Sequence, residues 1–220
     1  MLQILIVASF ILAIIGMVRY KRLTMPFKIL TLYFLFEGCM YFFDRWEITK
    51  YKNNIIYAHI DTASTYLFFG LIYYFLFKNK HIKASILTSV FLITTFSIVN
   101  AFFIQKYTSL FPTYTMMATE ALCIILAVML FNKMLLYPAE LNIIKQSIFW
   151  LNTGIIIYNS SLFLASALGN YYSGHIPVGY YMMVYFWYGT IFLFYIFLLI
   201  AILKDQKEIS GTHVPLGNTK

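Results

Sequence analysis

Residues 55–77 read IIYAHIDTASTYLFFGLIYYFLF, a run with no Lys or Arg in it. A helix rising about 1.5 Å per residue needs about 20 such residues to cross the hydrocarbon core of a bilayer, so this stretch is long enough to span. It also carries His59 and Asp61 near its start, where lipid would be expected. The stretch therefore predicts a membrane helix with polar groups turned toward other helices or a wet cavity, because ionisable groups facing lipid are costly.

The rest of the chain repeats this pattern. Cutting where Lys, Arg, Asn and Pro cluster leaves seven apolar segments: Leu2 to Val18, Ile29 to Phe43, Ile55 to Phe77, Ala84 to Ile104, Tyr114 to Phe131, Ser147 to Leu168 and Gly179 to Leu203. The second is short, and it spans only if Lys28 and Asp44 lie close to the interfaces or the bilayer thins. Of the 220 residues, 61% are hydrophobic, 20% aromatic and 11% charged, far from a soluble domain. The expectation is an all-α, seven-helix transmembrane bundle over residues 1–203, followed by a short polar cytoplasmic tail, 204–220. No internal repeat is visible. The first segment has Arg19, Lys21 and Arg22 behind it and no small-residue cleavage pattern, so it reads as a retained helix.

Charge sets the expected orientation. With the N-terminus outside, the inner side holds Arg19, Lys21, Arg22, Lys28, Lys78, Lys80, Lys83, Lys133, Lys145, Lys204, Lys207 and Lys220. The outer side holds Arg45, Lys50, Lys52 and Lys106, so the positive-inside rule favours N-out, C-in. The net charge of +8 is then a topology signal balanced by anionic lipid, and nucleic acid is not needed to explain it. The basic connection 19–28 anchors topology or offers a docking surface to a cytoplasmic partner, and the connection around Pro138 could form a short interfacial helix. Cys39 and Cys123 fall in different spans, where a small apolar role is expected before a disulfide.

Depth counting from each span's outer end finds a polar layer. Glu37, Asp61 and Glu120 all lie about 9 Å below the outer boundary, on three different helices. His59 and Asn100 lie about 6 Å deep and Asn159 about 14 Å. Residues two apart on a helix point about 200° from each other, so His59 and Asp61 cannot face one ligand together. Asp61, on a stripe with Tyr57, Ser64 and Thr65, is the one expected to face a cavity; His59 suits packing plus one hydrogen bond. The candidate ligand contacts are Glu37, Asp61 and Glu120, with His59, Asn100, Asn159 and Tyr185 as secondary ones. Asn152 and Asn159 share a helix face, and Tyr181, Tyr185, Tyr188 and Tyr195 form an aromatic stripe that packs or lines the same cavity. The alternative is that the acids only specify how the helices pack.

Several function classes are disfavoured. The last span has no lysine for a retinal Schiff base, and the Asp-Arg-Tyr and Asn-Pro-x-x-Tyr signatures are absent. Only His59 falls within a span, so three histidines cannot meet at one depth as seven-helix metal hydrolases require. No His-x-x-x-His or Glu-x-x-His spacing supports a metal site. No cofactor and no catalytic residue can be named.

The segments RYKRLTMPFKILTLYFLF (19–36), Glu37, IYAHIDTASTYLFF (56–69), Glu120 and FWLNTGIIIYNSSLFLAS (149–166) resemble a set of small seven-helix membrane proteins of Bacteroidota-type bacteria. Those proteins are about the length of the whole chain. The resemblance implies a bacterial inner membrane and a sensory or accessory role beside a separate signalling protein; it implies no catalytic residues. The leading expectation is a ligand-binding, receptor-like or accessory membrane protein with an outward-facing intramembrane cavity. Next come an intramembrane lipid-modifying enzyme, with or without a metal, and then a transporter or ion pathway.

Overall fold

A computed structural model describes the backbone of residues 2–137, 142–175 and 177–205, and side chains over the same residues except 168–184. It is all-helical among these residues. Seven helices follow one another: α1 Leu2–Arg19, α2 Met25–Tyr51, α3 Ile55–Leu76, α4 Lys80–Val99, α5 Thr113–Leu136, α6 Ser147–His175 and α7 Pro177–Lys204. Each is long and apolar enough to cross a membrane, which supports a multi-pass membrane protein. A single π-helical turn, Asn100–Ile104, continues α4, and a 3₁₀ turn, Ile143–Lys145, precedes α6. Residues 138–141, the Tyr181 side chain and the tail beyond Asp205 lie outside the described residues.

Short connections make successive helices antiparallel neighbours. α1 packs on α2, α2 on α3, α5 on α6 and α6 on α7, while α7 returns to α1 and closes the ring. α3 also meets both α4 and α5, so α4 stands on the rim. Burial agrees: 56% of the most apolar window of α2 is buried, against 28% for α4 with its π turn. The exposed faces are the apolar ones expected against lipid, such as Ile4, Val7, Ile11, Ile14 and Val18 on α1 and Phe91, Leu92 and Ile98 on α4. Close approach of α1 and α2 depends on Gly16, where an added Cβ would overlap the Thr31 side chain. Thr31 itself donates its hydroxyl to the Phe27 carbonyl at 2.8 Å, so it is not free to swing away.

The second helix departs most from expectation. Its apolar run stops at Phe43, yet the helix continues to Tyr51, beginning with Pro26 in its first turn and ending at Lys52 in the left-handed conformation. Asp44 and Glu47 are three apart and buried on the face turned to the start of α3, so they do not break the helix. The Glu47 carboxylate accepts the backbone N–H groups of Ile56 (3.0 Å) and Tyr57 (2.8 Å), two of the donors that the first turn of α3 leaves unpaired. Asn54 precedes α3 but makes no side-chain cap, so the preceding helix supplies it.

At the opposite end, Asp205 draws three elements together. Its carboxylate accepts Thr24 N–H at 2.7 Å, the Thr24 hydroxyl at 3.1 Å and the Ser147 hydroxyl at 3.2 Å. Arg19 donates to the carbonyls of Leu203 (3.0 Å) and Asp205 (3.2 Å). The tail thus begins in a buried clasp, not in free chain.

Candidate functional site

The polar residues of the half-bundle nearer Leu2 fall into three groups. The first is a cavity between α3, α5, α6 and α7, lined by Asp61, Thr62, Thr65, Tyr66, Met116, Thr119, Glu120, Cys123, Tyr158, Asn159, Leu162 and Trp187. Its volume is about 420 Å³ with the open mouth included, of which about 40 Å³ admits the centres of water molecules. That is room for about three waters or a small polar group. Two of the expected acids meet here. Glu120 is 4% exposed; its Oε1 accepts the Ser166 hydroxyl of α6 at 3.1 Å, and its Oε2 is buried without a hydrogen-bond partner. Asp61 lines the same cavity, and its Oδ1 is likewise buried and unpartnered. The Trp187 indole N–H is a third buried group with no partner.

The second group surrounds Glu37. This acid is 3% exposed and lies off the cavity lining, with Oε2 buried and unpartnered. Tyr195 of α7 donates to the Tyr41 hydroxyl at 3.3 Å and thereby joins α7 to α2. Tyr158 of α6 stacks on Phe194 with centroids 4.4 Å apart and is one of the cavity walls. Of the three acids of the expected layer, Asp61 and Glu120 line the cavity and Glu37 does not.

The third group ties helix ends together. His59 bonds the Leu110 carbonyl at 3.0 Å through Nε2, fastening α3 to the connection between the π turn and α5. It does not line the cavity, as the opposed directions of His59 and Asp61 require. Asn100 opens the π turn fully buried and donates to Gln105 Oε1 and Thr115 Oγ1, both at 3.0 Å, while Gln105 donates to Thr113 at 2.7 Å. Such turns recur at functional sites; here the Asn100 amide nitrogen is used within the turn and by α5, and its Oδ1 is buried without a partner. Asn159 reaches the cavity and donates an amide N–H to Ile155. Tyr185 is 62% exposed on the outside of α7, away from the cavity.

Sequence reasoning missed Tyr66, Tyr158, Thr119 and Trp187 as cavity walls. Toward the Asp205 end the cavity is followed by a closed junction: Tyr73 donates to Asn152 Oδ1 at 2.8 Å, and Asn152 donates to the Ala127 carbonyl at 2.9 Å. Both cysteines are free thiols. Among the described residues no three His, Cys, Asp or Glu side chains converge as a metal-ligand set. No protein family, curated protein or solved structure matches the chain.

Proposed function

We propose that this chain is a multi-pass protein of a bacterial inner membrane, N-terminus outside and C-terminus inside, that binds a small ligand in the cavity of Asp61 and Glu120. It acts as a receptor-like or accessory subunit that passes occupancy to a partner at its basic cytoplasmic end. The distribution of Lys and Arg supports the orientation, and the membrane and the role are what the resemblance read from the sequence implies. One observation carries the binding reading: Glu120 Oε2 and Asp61 Oδ1, on two helices, are buried without partners at one open-mouthed cavity. A buried acceptor left without a partner costs about 1–3 kcal/mol, and a ligand that donates to both removes that cost.

Native mass spectrometry of gently purified protein tests this, comparing wild type with the Asp61→Asn, Glu120→Gln double variant. A bound species present in wild type and lost from a folded variant is the expected result. Two empty proteins, the variant merely less stable, would make the acids packing residues.

A further inference from the structure

We infer that the cavity recognises a primary ammonium group with an oxygen two carbons away, the chemistry of ethanolamine, free or as a lipid headgroup. The inference rests on the binding reading above and specifies its ligand class. The lining contains two carboxyl groups and no Lys, Arg or His, so its charge complement is a cation. Two of the three threonine hydroxyls in the lining point the same way. Thr62 donates to Ala58 O at 2.7 Å and Thr119 to Met116 O at 2.8 Å, so each has only lone pairs left for a guest. The walls include the rings of Tyr66, Tyr158 and Trp187, and aromatic faces beside carboxylates favour an organic ammonium.

Glu120 supplies the observation that separates this from a mere cluster of acids. It is 4% exposed, fixed by Ser166 through one oxygen, and its other oxygen is unpartnered at the cavity. Trp187 adds a complementary feature, a buried indole N–H donor without a partner among the cavity walls. An ammonium donates up to three hydrogen bonds, enough for both carboxyls and one hydroxyl, and a neighbouring ligand oxygen accepts from the indole. The size fits too: room for about three waters suits a four-heavy-atom head with its attachment leaving through the mouth.

Titration of the full chain, in detergent and in phosphatidylcholine nanodiscs, with ethanolamine, ethylene glycol and glycolate tests the class by isothermal calorimetry and tryptophan fluorescence. Saturable binding of ethanolamine alone is expected, weakened about tenfold or more by Glu120→Gln and by Asp61→Asn. Its fluorescence change should vanish in Trp187→Phe, which leaves Trp46 and Trp150 as silent controls. Competition by phosphatidylethanolamine in the nanodiscs identifies the lipid headgroup as the source, and its failure identifies the free amine; either supports the class. Binding of glycolate or ethylene glycol as tight as that of ethanolamine overturns the ammonium assignment and leaves the binding reading standing. If none of the three binds and native mass spectrometry finds the wild type empty, both are overturned. The selectivity among the three probes is read on wild type, so the inference stays falsifiable even where a variant fails to fold.

Discussion

Asp205 and Glu120 are both buried acids, and their surroundings differ in kind. Asp205 accepts from Thr24 and Ser147 with both oxygens, whereas Glu120 Oε2 has no donor. Burial lifts the Asp205 carboxyl above its ordinary range, and the hydrogen bonds and Arg19 pull it back only in part. The folded chain therefore holds this proton more firmly than the unfolded one, where Asp titrates near about 3.9. The stability it contributes is greatest below that pH and declines as pH rises through the folded-state value. The melting midpoint of wild type minus that of Asp205→Asn should accordingly fall across this window; a difference that rises with pH would contradict the assignment. Depth counting along the sequence was enough to single out Asp61 and Glu120. It could not separate Glu37 from them, because depth fixes height in the bilayer and says nothing of rotation about the helix axis. Tyr158 and Trp187 escaped because aromatic residues are common in spans and an indole or phenol carries no depth signal of its own. Tyr185 was legible as a stripe member but not as one facing outward, for the same reason as Glu37.

Among the elements, α3 shows how a helix can depend on its predecessor. Glu47 lies on α2 and bonds the N–H groups of Ile56 and Tyr57, so Glu47→Ala leaves two donors in the first turn without their acceptor. We expect a loss of about 1–3 kcal/mol, partly restored in Glu47→Gln, whose amide oxygen serves one donor. Unfolding midpoints in detergent measure it, and faster amide exchange at residues 55–58 would locate it. Six spans were legible because a long apolar run without Lys or Arg, set between clusters of Lys, Arg, Asn and Pro, marks a membrane helix. The second was cut short at Phe43 because Asp44, Arg45 and Glu47 resemble an interface while the turn of α3 that Glu47 bonds is unseen. The π turn was invisible for a related reason: Asn100 and Gln105 look like ordinary polar residues at a span's end until their amides are seen to pair.

For the molecule as a whole, the seven-helix bundle followed from composition, while the order of neighbours did not. That α3 touches α5 and leaves α4 on the rim is decided by side-chain pairing, not by apolar periodicity. The proposed orientation is open to direct measurement. With Cys39 and Cys123 replaced, an impermeant maleimide should label Lys106→Cys in intact cells and Lys78→Cys only after lysis; the reverse pattern would invert the bundle. Insertion follows from the Glu47 contact. α2 and α3 are the two least apolar of the seven candidate spans, and they are consecutive. Each enters lipid less readily alone than its neighbours do, yet the bonds that join them link residues only nine and ten apart in sequence. The pair can close as a hairpin once both have emerged from the ribosome, before α5, α6 and α7 exist to complete the cavity.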